Sequence, residues 1–354
     1  MDTNLFETMT SQAAYDGLPA KLITLTNRSG MQIMLMDIGA SWLSCRLPLA
    51  CGEQREVLLG MGTLEDFMRQ TSYMGVTVGR YANRIANGTF SIDGKEFQVS
   101  TNQAGNCLHG GEFGFDQRRW QIELQSSQHV VFSLVSPDGD QGFPGELVAQ
   151  VTYHLTDENQ VEITYRANSS KATPCNLTNH AYFNLAGAES GLDCLSHHVQ
   201  ISASQYLPTD EFGIPYGEFA EASGTAFDFR EGKTLASDWL SDVNTELNLA
   251  KGFDHSFTFE HGRDVTKPVA TVISPDEQVK LTVTTDKPAM QLYTGNWLAG
   301  TPSRTDTPYK DYAGFALETQ LLPDAPNHLE WRQPDPILRP NQTYQYRTCY
   351  QFMV

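Results

Sequence analysis

Short runs in which apolar and polar side chains alternate follow one another from end to end of the chain, with the two-residue period of half-buried strands. Residues 21–26, 32–36 and 42–47 form the first group. Residues 89–92 and 95–99 flank Asp93-Gly94, a dipeptide that favours a tight hairpin because glycine tolerates positive φ. Runs at 120–124, 130–135, 147–155 and 161–167 come next, punctuated by the turn sequences Pro137-Asp138-Gly139 and Asp157-Glu158-Asn159. Later runs span 198–203, 256–259, 269–274, 279–285, 290–294, 314–318 and 343–352. Helical periodicity is confined to residues 64–69 and 235–240, both too short for more than two turns. So many strands without intervening helices exclude a parallel βαβ sheet. They predict an all-β protein, a large antiparallel β-sandwich with few short helices. No repeat, low-complexity tract or linker interrupts the pattern, so residues 1–354 are expected to form a single domain.

Composition narrows the function. The 24 Lys and Arg residues face 42 Asp and Glu, a formal charge of −18. That balance argues against nucleic acid or an anionic membrane as partner, since a phosphate backbone rewards clustered cations. It also disfavours a phosphorylated substrate, although a local pocket can override net charge. A neutral polyol fits more easily. The six cysteines are scattered without a CxxC pair and read as reduced, mostly buried thiols of a cytoplasmic protein. The acidic N-terminal segment has no positive region followed by an apolar run, and no apolar stretch approaches membrane-spanning length.

Four polar segments stand out against the strands. In Gly79-Arg80-Tyr81-Ala82-Asn83-Arg84-Ile85-Ala86-Asn87-Gly88, two arginines and two asparagines suit hydrogen bonding to hydroxyl groups, though a solvated approach to a hairpin accounts for them equally simply. Around His109, Gly110, Gly111 and Gly114 invite a phosphate-loop reading, but no helix pattern follows to hold an anion. The glycines instead allow close backbone approach and positive φ. In Thr178–Leu185, an extended chain would put His180, Tyr182 and Asn184 on one face, lining either a cleft or solvent. Glu318 ends an otherwise apolar strand, where partial desolvation would raise its basicity; a salt-bridged strand end is the plainer alternative. Asp254 in GFDH and Gln291 in MQLYTGN are further candidates. Neither HExxH nor HxH spacing occurs among the nine histidines, so no metal is expected.

GRYANRIANGTF, LHGGEFGFDQRRW, TNHAYFNLAG, YLPTDEFGIP, GFDHSF, MQLYTGN and LETQLLPDAPNH occur in this order. Together they resemble the aldose 1-epimerase (galactose mutarotase) family, from roughly the first strand to the C-terminus. The resemblance implies an antiparallel β-sandwich with an open sugar cleft and no cofactor. It implies interconversion of the α and β anomers of a free hexose, such as galactose or glucose, in a monomer or homodimer. By motif, Glu318 corresponds to the family's general base, His180 to its general acid and His109 to a second active-site histidine. Asn83 and Arg84 fall where the family places substrate contacts, and Asp254 and Gln291 match further sugar-binding positions.

Two rival functions share these features. A non-catalytic carbohydrate-binding module would use Trp120 and Tyr182 to stack on sugar faces, but would need neither Glu318 nor His180. A hexose-6-phosphate epimerase would need a basic pocket that the sequence does not display. A glycosidase commonly pairs two carboxylates, and none is paired with Glu318.

Overall fold

The alternation is realised as strands over nearly every predicted run. The computed structural model describes residues 3–238 and 245–354. Two large antiparallel sheets carry the architecture, one of nine strands and one of six, with a four-stranded sheet built from Leu22–Thr26, Gln32–Met36, Ser41–Pro48 and Gln54–Glu56. Helices among the described residues are limited to Thr3–Thr10, Leu64–Arg69 and Thr245–Ala250, apart from single 3-10 turns. None is long and apolar enough to cross a membrane.

In the nine-stranded sheet, His129–Ser136, Leu147–Leu155 and Gln160–Ser169 pair in unbroken antiparallel register and then continue onto Tyr344–Met353. Their inward residues, including Val130, Phe132, Val151, Tyr153, Ile163 and Tyr350, are buried. They share one apolar core with Phe183, Leu292, Phe315 and Leu317 of the six-stranded sheet and with Trp42 of the four-stranded one. Trp42 touches both large sheets, its ring centroid lying 5.9 Å from Phe183 and 5.7 Å from Tyr350. Each such side chain removed from water contributes roughly 1.5–3 kcal/mol, so this three-sheet contact is the main source of stability.

The core also decides which way the functional strand faces. In Phe315–Gln320 all six residues are buried. Phe315 and Leu317 enter the core, and Thr319 Oγ1 shares a hydrogen bond with Thr348 Oγ1 of the nine-stranded sheet at 2.5 Å. Because successive side chains alternate, Glu318 is turned to the opposite face. A one-residue slip would drive the carboxylate into the core, so burial on one face fixes the register on the other.

Two readings of the chain are corrected here. Residues 235–238 form a turn rather than the start of a helix, and 239–240 lie outside the described residues. The helix Thr3–Thr10 carried no noticed signal, although Leu5 and Met9 pack beside Leu64 and Phe67. Five of the six cysteines are buried, and Cys51 is exposed.

The glycines around His109 do serve close approach. Gly110 has φ +95°, and a Cβ there would meet the Gly79 carbonyl oxygen at 2.1 Å. Gly94, at the hairpin tip, has φ +78° with nothing within 4 Å of the same position. Gly94→Ala should therefore cost about 1 kcal/mol from backbone strain alone, and Gly110→Ala on the order of 3 kcal/mol or more. Urea unfolding of the two variants checks this, and equal losses would mean that the approach at Gly110 is not tight.

Candidate active site

A cleft of about 460 Å³ opens on the face of the six-stranded sheet that carries Glu318. Its lining brings together Asn83, Arg84, His109, His180, Asp254 and Glu318, which are spread over more than two hundred residues of sequence. Three adjacent strands supply the floor. Ser256 pairs with Gln291 and Gln291 with Glu318 across Asp254–Thr258, Ala289–Tyr293 and Phe315–Gln320. Asp254 opens the first of these strands.

Glu318 and His180 are buried side by side, Oε1 to Nε2 at 3.5 Å. Glu318 Oε2 and His180 Nδ1 have no hydrogen-bond partner. Burial pushes the Glu318 carboxyl well up, helped by the negative charge of Asp254 and opposed by Arg84. Burial also pushes the His180 imidazole down to about 4, against smaller opposing effects of its own backbone and Asp254. Both groups are thus driven toward their uncharged forms, as expected when water is withdrawn without a compensating partner. Tyr182 stacks on the His180 ring at 4.9 Å, and Tyr73 lies 6.2 Å away at a similar tilt.

His109 is fixed differently. Asn83 N–H donates to His109 Nδ1 at 3.1 Å, while the His109 N–H donates to the Asn83 carbonyl at 3.1 Å. An accepting Nδ1 leaves the proton of the neutral ring on Nε2. Burial, with repulsion from His180 whenever that ring is protonated and from Arg84, holds this imidazole well below its usual range and hence neutral. Tyr73, Asn83 and His109 all have positive φ, at 56°, 63° and 52°. Such backbone costs on the order of 1–3 kcal/mol per residue and concentrates where a side chain must be aimed.

The Arg84 guanidinium is held by neighbours on several sides. Its Nε donates to Gln103 Oε1 at 2.8 Å, its Nη1 to Asn83 Oδ1 at 3.2 Å, and its Nη2 lies 4.0 Å from Asp254 Oδ2. Asp324 secures the same segment, receiving the Ala86 N–H on its carboxylate while its own N–H bonds to the Arg84 carbonyl.

Several sequence expectations need correction. Arg80 is not a cleft residue: it is buried, donating to the Pro144 and Gly145 carbonyls and to Ser136. Asn87 sits in a 3-10 turn away from the cleft lining. Asn184 does not continue the row of His180 and Tyr182, because its amide donates to the Leu192 and Ala313 carbonyls. Trp120, considered as a sugar-stacking ring, is buried against Phe115 with its indole N–H on the Phe115 carbonyl. Gln291, buried beside Glu318 in the floor, donates its Nε2–H to Asp254 Oδ1 at 2.7 Å, and its Oε1 has no hydrogen-bond partner. Tyr73, Gln103, Glu246 and Trp297 line the cleft without having been singled out.

His109, His180 and Glu318 each offer one donor atom within 4.8 Å of the others, the one such group among the described residues. Two nitrogens and a carboxylate oxygen are a donor set that also suits zinc-type ions. Local spacing could not reveal it, since each residue comes from a different segment.

Comparison with known proteins agrees with this arrangement. Residues 21–351 match the family described as aldose 1-epimerase. The chain is 50% identical to the aldose 1-epimerase of Escherichia coli strain K12 over 344 residues, covering 97% of this chain and 98% of that one. It is 43% identical to the galactose mutarotase of Homo sapiens over 304 residues, 86% of this chain and 85% of the relative. The solved structure of galactose 1-epimerase from Lactobacillus acidophilus superposes with a TM-score of 0.82 at 30% identity, covering 96% of each chain. With cleft, fold and near-full-length identity in agreement, the chain belongs to the aldose 1-epimerase family.

Proposed function

We propose that this aldose 1-epimerase interconverts the α and β anomers of a free hexose such as galactose or glucose, with Glu318 as base and His180 as acid. One contact carries this reading: a carboxylate and an imidazole, both buried, face each other at 3.5 Å on the floor of a sugar-sized cleft. The charges around the cleft favour a neutral sugar. Asp210, Glu211, Glu246 and Asp254 line it, with Arg84 the sole Lys or Arg side chain among the described residues of the lining, a setting that repels phosphate or carboxylate groups.

Anomers exchange by opening the hemiacetal. In the free protein, burial favours a carboxylic acid beside a neutral imidazole, so the pair holds one transferable proton. With sugar bound, Arg84 and the anomeric hydroxyl stabilise the carboxylate, and the proton passes to His180. Glu318 then takes the O1 proton as the C1–O1 double bond forms, and the C1–O5 bond breaks as His180 protonates O5. Rotation about C1–C2 presents the other carbonyl face, and closure reverses both transfers. Ring opening returns the pair to its uncharged form, so the desolvation that resists charge separation favours the bond-breaking step.

The remaining groups position and stabilise. The Nε2–H of His109 and the guanidinium of Arg84 are fixed donors for negative charge developing on sugar oxygens. Asp254, oriented by Gln291, accepts hydrogen bonds from ring hydroxyls and holds the sugar while C1–C2 rotates. Asn83 keeps both His109 and Arg84 in place.

A positioned acid or base contributes roughly 10²–10⁴-fold. Glu318→Gln and His180→Asn should each lose that much of kcat in polarimetry with fresh α-galactose while still binding the sugar; a variant that keeps its turnover has no place in proton transfer. The pH dependence follows from the pair. Its one-proton form gives way near pH 4, where His180 takes up a second proton, and on the alkaline side where the raised Glu318 carboxyl gives up the shared one. The acid limb of kcat/KM is therefore expected near pH 4, whereas a half-drop on acidification near about 6.5, the value of a free imidazole, would contradict a desolvated pair.

A further inference from the structure

Behind the cleft floor lies a charged group that the proposed chemistry does not use. Lys287 is fully buried. Its ammonium donates to the Leu177 carbonyl at 3.0 Å, to Asn176 Oδ1 at 3.4 Å and to the Tyr344 hydroxyl, all of them uncharged. Tyr165, Tyr344 and Tyr346 present their rings to it at 5.7, 4.8 and 4.4 Å. Desolvation lowers its pKa to about 7, against the attraction of neighbouring negative groups. Burying an ammonium without a carboxylate is expensive even when aromatic faces and carbonyls surround it. A methionine of similar volume would fill the space without that penalty.

What the lysine holds is the junction of three strands of chain. The Asn176 amide donates to the Ala82 and Leu321 carbonyls, both at 3.3 Å, while its oxygen accepts the Leu321 N–H at 2.9 Å. Its backbone bonds to the same loop, Ala82 N–H to the Asn176 carbonyl and Asn176 N–H to the Arg80 carbonyl. Ala82 lies two residues before Arg84, and Leu321 three residues after Glu318. Leu177, three residues before His180, gives its N–H to the Tyr344 hydroxyl at 2.9 Å and receives Lys287 on its carbonyl. The segments that deliver Arg84, His180 and Glu318 to the sugar thus pass through one buried node. The ammonium polarises the Asn176 amide that joins two of those segments and clamps the backbone of the third.

We infer that Lys287, acting through Asn176 and Tyr344, is a positioning residue for the reaction, setting the relative placement of Arg84, His180 and Glu318. The inference rests on the acid–base reading of Glu318 and His180. Misplacement of reacting groups by about 1 Å costs on the order of 10²-fold, so the effect should appear in turnover.

Lys287→Met fills the space and removes the charge; Tyr344→Phe keeps the charge and removes the hydroxyl that bridges it to the Leu177 N–H. Both are assayed by polarimetry well below their unfolding temperature, with the folded fraction fixed by near-ultraviolet circular dichroism. Lys287→Met should lower kcat per folded molecule about 10- to 100-fold, and Tyr344→Phe several-fold, each with a smaller change in KM. Wild-type kcat in folded Lys287→Met overturns the inference. Should that variant fail to fold, wild-type kcat in Tyr344→Phe overturns it and a several-fold loss upholds it. Glu318→Gln is measured alongside: loss of turnover there with full turnover in the Lys287 and Tyr344 variants removes the node alone, and full turnover in Glu318→Gln removes the acid–base reading beneath it.

Discussion

Withdrawal of water from Glu318 and His180 is the constraint from which the organisation of this protein follows. A carboxyl and an imidazole in solution would each be solvated and would titrate separately. Here they lie 3.5 Å apart, almost fully covered, with Glu318 Oε2 and His180 Nδ1 unpartnered. A buried polar group left without a partner costs about 1–3 kcal/mol, and the fold sustains two in one place. The cost is offset by the apolar contact of three sheets centred on Trp42, Phe183 and Tyr350, which is independent of the cleft chemistry.

The same contact enforces precision. Glu318 faces the cleft because Phe315, Leu317 and Thr319 face the core, and the Tyr350 hydroxyl donates to the Leu317 carbonyl immediately beside it. His180 stacks on Tyr182, and His109 and Asn83 lock each other through reciprocal hydrogen bonds. Left-handed backbone at Tyr73, Asn83 and His109 aims side chains at the cleft, although it also occurs at turns elsewhere, such as Asp93 and Asn159. The packed sheets thus act as a rigid scaffold that holds the cleft groups in place.

Much of this was legible in the sequence because the dominant signal is local. Two-residue alternation reports burial on one face of a strand, and it located the long strands 147–155 and 343–352 to within two residues. Short periodic stretches carry less: 235–238 proved to be a turn, and the helix Thr3–Thr10 went unseen. Within the GRYANR motif nothing separates Arg80 from Arg84, yet one is packed under carbonyls and the other reaches the cleft. The contact of Gln291 with Asp254 is likewise a matter of neighbouring strands in the sheet and has no local signal. Tyr73 and Gln103 escaped because no motif surrounds them; their importance comes from what distant segments bring beside them. Lys287 is the extreme case, a lysine in an unremarkable turn-like sequence whose significance is visible only once it is buried.

The central claim is that one carboxylate and one imidazole grip the two ends of a single hemiacetal. A crystal structure of the Glu318→Gln variant soaked with galactose tests it most directly. The account predicts a pyranose in the cleft with O1 beside the substituted amide, O5 within hydrogen-bonding distance of His180, and ring hydroxyls on Asp254. A sugar bound with its anomeric centre turned away from both residues would contradict it.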